Sequence, residues 1–278
     1  MKNAIRYYYH IEVNNIEFLE YRYYFDSYVL IEVEKPVDFN IYHFLVDNHY
    51  PVYNIVQNKD GEYVTNIDGK AYLLLYVISQ NRLSFQEIEN FQIPVYEEET
   101  LPWHELWMNK VDFYEKHVQT INSNKIKDSF FYYIGMAENA IEFYQMIKKD
   151  YPLYISHGRM SKDFDFWNPT NFTVDYKVRD IAGYTKRLFF EGNLHLPDLF
   201  LYFYRAQFLE QDYLLFYARM LYPSYYFDCY DNIVKGENED CLDLYLEKVD
   251  DYENLLKELY FYFSRFLFLP KIDWIVDK

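Results

Sequence analysis

The hydrophobic period changes once along this chain, and that change limits the folds open to it. Up to about Ile78 the sequence is turn-rich with strand-like runs, and from about Phe85 it carries long stretches of helical spacing. Residues 28–33 are a β-branched run ended by Pro36, and Asp68-Gly69 joins residues 63–67 to 71–78 as a hairpin turn would. Between them, residues 39–48 place Ile41, Phe44 and Leu45 at helical spacing. Residues 1–79 are therefore expected to form a strand-rich lobe with a hinge at Ser79-Gln80-Asn81, and residues 80–278 a helical one. The expected class is α+β, in two lobes.

In the helical part, residues 102–121 set Trp103, Leu106, Trp107, Val111 and Tyr114 on one stripe, with Pro102 near the start. Residues 128–149 begin with Asp128 as a candidate N-cap and end with Lys148-Lys149, matching the helix dipole at both ends. Residues 180–190 read as a short helix stopping near Gly192. Residues 197–222 are apolar nearly all round, as in a buried helix or helix pair. Within them Arg205, Asp212 and Arg219 recur every seven residues, which reads as an interhelical ionic seam or as an exposed stripe. Residues 237–251 form an acidic connector, and residues 255–269 a last amphipathic helix before Pro270.

Composition excludes several function classes. The formal net charge of −17 repels nucleic acid and anionic membrane, and no Lys/Arg cluster is longer than Lys148-Lys149. No segment approaches the roughly 18 uninterrupted apolar residues of a membrane span. The N-terminus lacks the apolar core of a signal peptide, so synthesis in the cytoplasm is expected. Cys229 and Cys241 fit neither a metal spacing nor a disulfide framework and suit a reducing compartment. His43 with His49, and His104 with His117, lie at no recognised ligand spacing, so no metal is expected. The chain has 34 Tyr and 24 Phe, and Tyr offers large apolar area with a polar tip, which serves at interfaces.

One stretch carries a recognisable order: Ser156-His157-Gly158, a polar loop, Asn171-Phe172-Thr173-Val174-Asp175, then Arg179-Asp180-Ile181-Ala182. It resembles the catalytic segment of the aminoglycoside/choline kinase-like phosphotransferases, where a His-Gly-Asp-x-His-x-x-Asn loop precedes a strand ending in a metal-binding Asp. With residues 214–223 and Tyr225-Tyr226-Phe227-Asp228, the chain resembles the YutH-type branch of the spore coat kinase-like proteins of endospore-forming bacteria. The resemblance implies a two-lobed protein-kinase-like fold. It also implies that Arg159 stands at the catalytic base, Ser161 at the second His, Phe164 at the metal-binding Asn and Asp175 at the metal-binding Asp.

The chemistry at those positions is degenerate. Arg159 cannot accept a proton, because its pKa exceeds about 12, and Phe164 offers no oxygen ligand. The first 60 residues contain no Gly, so no glycine loop can lay N–H groups on phosphates. The strand from which a phosphate-contacting Lys would project offers Ile31 and Glu32, with Lys35 at its end. No catalytic residue and no cofactor are expected. By the resemblance His157 is an architectural remnant and Asp180 a loop-bracing carboxylate, while Asp175 is expected to pair with Arg159 or Arg179. The reading that follows is a catalytically inactive kinase-like protein, a structural or interaction component assembled onto the spore coat with other proteins as partners. Two alternatives stand beside it: an atypical ATP-dependent small-molecule phosphotransferase, and an anion- or nucleotide-binding sensor without turnover. For docking, Pro223-Ser224 is expected to break the preceding helix and present Tyr225, Tyr226 and Phe227. That requires at least two exposed rings; otherwise they are ordinary core.

Overall fold

The computed structural model describes residues 1–33, 36–77, 82–96, 102–147 and 151–277. Lys35, Ile78, the hinge expected at 79–81 and the Lys148-Lys149 helix end therefore lie outside the described residues. The chain divides into two compact units, Met1–Ser84 with His157–Thr173, and Phe85–Ser156 with Val174–Lys278. The grouping of 157–173 with the first unit is not contained in a single division at 79/80.

The first unit opens with α1 (Lys2–Tyr9), β1 (Glu17–Leu19), β2 (Arg22–Phe25), β3 (Tyr28–Glu32), α2 (Phe39–Asp47), β4 (Asn54–Val56), β5 (Val64–Ile67) and β6 (Lys70–Tyr76). The strands form one antiparallel sheet in which β6 is central, pairing with β3, β4 and β5. Register sets Val29, Leu30 and Ile31 opposite Leu75, Leu74 and Leu73, and all six are buried. On one face Leu30, Leu74, Phe25, Ile67 and Tyr72 receive Ile5 and Tyr9 of α1. The Tyr9 hydroxyl keeps a partner there, Thr65 Oγ1 at 2.8 Å. The β5–β6 hairpin turns on Asp68 and Gly69 with φ of 52° and 82°, the backbone that an Asp-Gly pair favours. The β1–β2 hairpin turns the same way on Glu20 and Tyr21, at φ 52° and 61° and without a glycine.

The second unit contains α3 (Phe85–Asn90), β7 (Ile93–Val95), α4 (Trp103–His117), α5 (Asn124–Gln145) and β8 (Leu153–His157). The chain then passes through α6 (Phe164–Trp167) of the first unit and returns along β9 (Phe172–Tyr176). A three-stranded sheet has the order β7-β8-β9. After it come α7 (Val178–Phe190), α8 (Leu196–Arg205), α9 (Glu210–Leu221), α10 (Ser224–Val234), α11 (Asp240–Glu247), α12 (Val249–Phe263) and α13 (Asp273–Val276). The core forms where α5, buried along Phe130, Ile134, Ala137 and Ile141, packs on α4 and α9. That helix starts before Asp128 because the Ser123 hydroxyl caps it, accepting from Ile126 N–H at 3.1 Å. No helix among the described residues is long and apolar enough to cross a membrane.

The apolar stretch at 197–222 is a helix pair, α8 and α9. Its seven-residue polar series divides: two of the three residues form ionic contacts from α9 toward the start of α7, and the third does not join them. Arg205 is exposed, whereas Asp212 and Arg219 are withdrawn from solvent and pair with Lys177 (2.8 Å) and Asp175 (2.7 Å) beside the start of α7.

Candidate functional site

In the first unit the loop after β8 is closed by local geometry. His157 is wholly buried, its ring 4.4 Å from Phe166 and 5.2 Å from Phe172. Gly158 N–H donates to the Asn171 carbonyl at 2.6 Å, and the Asn171 side-chain amide donates to the carbonyls of Arg159 (3.1 Å) and Asp165 (2.9 Å). A Cβ at Gly158 would lie 2.5 Å from Asn171 Oδ1, so this close approach requires glycine. Arg159 is exposed, and Phe164 is buried.

Asp165, which the sequence reading passes over, is the buried carboxylate of this loop. It accepts from Arg22 Nη2 of β2 at 2.8 Å, from the Ser161 hydroxyl at 2.8 Å and from Lys162 N–H at 3.0 Å. The Arg22 guanidinium also lies over the Phe164 ring, 4.6 Å from its centroid. Arg22 and Asp165 are 143 residues apart, and no local spacing marks them.

In the second unit β9 runs almost directly into α7, so Asp175 and Arg179 stand one helical turn apart. Arg179 Nη1 donates to Asp175 Oδ2 at 2.7 Å, and Arg219 of α9 donates to both carboxylate oxygens at 2.8 and 2.7 Å. The Tyr176 N–H adds a bond of 2.7 Å. Trp103 lies against both guanidiniums, at 4.7 Å from Arg179 and 5.3 Å from Arg219. Burial by itself pushes the Asp175 carboxyl up, but Arg219, Arg179 and the Tyr176 N–H outweigh it and hold it below the usual carboxylate value. Arg179 is one of the two partners expected for Asp175; Arg219 is the other in the structure. Asp180 is buried in the first turn of α7, and its charge acts favourably on both arginines.

These residues do not fit a magnesium–nucleotide site. Both oxygens of Asp175 are already taken by guanidiniums, and those two fixed cations oppose the approach of a third. Asp165 is likewise engaged by Arg22. Among the described residues no group of three or more His, Cys, Asp or Glu side chains could hold a metal ion.

The expected docking patch is corrected by burial. Tyr226 and Phe227 are 1% and 0% exposed, and Tyr225 is half-buried, so the required two exposed rings are not there. Pro223 ends α9, but α10 starts at the next residue and turns those rings inward. Tyr226 stacks on Tyr133 of α5 at 3.9 Å, and Phe227 packs on Tyr114 of α4 at 4.8 Å.

A strand-rich unit bearing a His-Gly loop, with a three-stranded sheet leading into a helical unit, defines the fold of the aminoglycoside phosphotransferase-like kinases. An aminoglycoside phosphotransferase from Alicyclobacillus acidocaldarius is similar over 91% of this chain and 93% of its own, with a TM-score of 0.60 at 8% identity. The AMP-bound spectinomycin phosphotransferase APH(9)-Ia is similar over 93% of each chain, with a TM-score of 0.57 at 13% identity. At such identities the likeness is one of fold. Within that fold the chain belongs to the spore coat YutH family: residues 3–259 match the family described as "Spore coat putative kinase YutH". The endospore coat-associated protein YutH of Bacillus subtilis (strain 168) is 26% identical over 211 residues, 62% of this chain and 61% of that protein. The match thus spans about three fifths of that relative's length.

Proposed function

We propose that this chain is a catalytically inactive kinase-like protein that serves as a structural or interaction component of the spore coat, with other proteins as partners. The observation that carries the reading is the Asp175 carboxylate, buried and bonded to two arginines. Magnesium in such folds neutralises phosphate charge while an Asp orients the attacking hydroxyl. Here the carboxylate that should hold the metal is neutralised by protein cations, the base position is Arg159, and the Asn position is Phe164. The coat assignment is supported by the family and by the name of the coat-associated relative.

A thermal-shift titration with ATP and ADP, with and without magnesium, tests the reading. A ligand of the folded state at 100 times its Kd adds about 2.7 kcal/mol, so binding would be plain in the midpoint. The midpoint should stay unchanged under all four conditions, and no nucleotide hydrolysis should follow the purified protein. ATP turnover that disappears in Asp175→Asn would overturn the proposal in favour of a phosphotransferase. A magnesium-independent rise without turnover would replace it with a nucleotide sensor.

A further inference from the structure

The chain has two cysteines, Cys229 and Cys241, both free. They lie on consecutive helices, α10 and α11, which turn back on one another through Gly236 at φ 92° and pack together. The register of that pair is set by Tyr225 and Tyr245, whose rings stack at 5.9 Å with 9° between planes. Tyr225 is one helical turn before Cys229, and Tyr245 is one turn after Cys241. On antiparallel helices, stepping one turn toward the connection on both keeps the residues face to face. The stacked tyrosines therefore place the two cysteines opposite each other, within electrostatic reach of one another. Cys229 is buried and Cys241 half-buried.

We propose that Cys229 and Cys241 are a modification site: under peroxide they close an intramolecular disulfide that staples α10 to α11. Access sets the order of events. The Cys241 thiolate attacks one oxygen of the peroxide, the O–O bond breaks, and the departing hydroxide is protonated to water. Cys241 is then a sulfenic acid. The Cys229 sulfur attacks the Cys241 sulfur, the S–O bond breaks, and the leaving hydroxyl departs as a second water with the Cys229 proton. Each sulfur is oxidised by one electron, and the two electrons reduce one peroxide. Burial, with the neighbouring Cys241 and Glu237, pushes the Cys229 thiol up, which leaves the more accessible Cys241 to meet peroxide first. The staple also fixes the Tyr225–Tyr245 face, on which Phe190 of α7 packs at 5.6 and 4.7 Å. Nothing in this site depends on whether the chain transfers phosphate.

The test is mass spectrometry of the full chain after treatment with hydrogen peroxide and alkylation. The expected product has lost two hydrogen atoms and yields a Cys229–Cys241 linked peptide. Its rate of closure should be independent of chain concentration and faster than in urea, and its thermal midpoint should rise and fall back on reduction. Cys229→Ser should stop at a Cys241 sulfenic acid trapped by dimedone. Closure in the unsubstituted chain is the primary readout, so a variant that misfolds does not decide the matter. Cross-linked dimers, over-oxidised Cys241 beside an alkylated Cys229, or closure no faster than in urea would overturn the proposal.

Discussion

A carboxylate withdrawn from water is stable only if its neighbours replace the lost hydration, and Asp175 has two guanidiniums and a backbone N–H to do so. Removing one partner leaves the rest of the cluster uncompensated. Arg219→Leu should therefore lower unfolding stability by about 3–5 kcal/mol in denaturant titrations, and Arg219→Lys should recover only part, because an ammonium lacks the guanidinium's fork. A wild-type midpoint in Arg219→Leu would refute this role. The same pair makes stability depend on acid. The folded-state pKa of Asp175 lies below its unfolded value of about 3.9, so its contribution is fully present above that value. It is lost as pH falls through the lower, folded value. Acid titrations should show a fall in stability below about pH 4 that is shallower in Asp175→Asn. Gly158 tests packing instead of charge: Gly158→Ala drives a Cβ toward Asn171 Oδ1 at 2.5 Å and should cost about 1–3 kcal/mol. The double change with Asn171→Ala should cost less than the sum of its parts, since one change removes the other's clash.

At the scale of elements, α10 and α7 show how a helix start decides the fate of its side chains. Because α10 begins at Ser224, Tyr226 and Phe227 fall on its inner face against α5 and α4. Phe227→Ala should lower stability by about 3–5 kcal/mol, the range for truncating a buried aromatic ring. Selective loss of a partner with an unchanged melting temperature would contradict that placement. In α7, Asp180 occupies the first turn and not the cap, which is Lys177. A first-turn acid at the surface contributes about 0.3–1 kcal/mol through the helix dipole. Asp180→Ala should exceed that figure in denaturant titrations, because the carboxylate is buried and acts on Arg179 and Arg219. The elements legible in the sequence are those specified locally. β3 and α2 follow their apolar spacing, and the β5–β6 hairpin follows Asp68-Gly69. The β1–β2 hairpin was not legible, because Glu20 and Tyr21 take left-handed backbone with no glycine to announce it.

For the whole molecule, a kinase-like frame at 8–13% identity to solved phosphotransferases reflects two kinds of constraint. The frame needs a burial pattern that many sequences satisfy, whereas phosphoryl transfer needs particular polar groups at particular points. On the proposed reading of an inactive chain, supplying one such group should not by itself bring turnover. Arg159→Asp is expected to show no ATP turnover in a coupled assay, since Phe164 and the doubly paired Asp175 remain. Turnover in that single variant would mean that the arginine pair does not obstruct the site. The sequence by itself determined the change from strand to helical spacing and the order of the kinase-like segment, because these are carried by residue identity and short-range order. Only the tertiary structure decided that Asp175 meets Arg219, 44 residues away, and that Asp165 meets Arg22, 143 residues away. It alone also placed Tyr226 and Phe227 in the core and stacked Tyr225 on Tyr245. The physical reason is that burial and charge pairing depend on which elements pack together, and that packing carries no signature in the spacing of either partner.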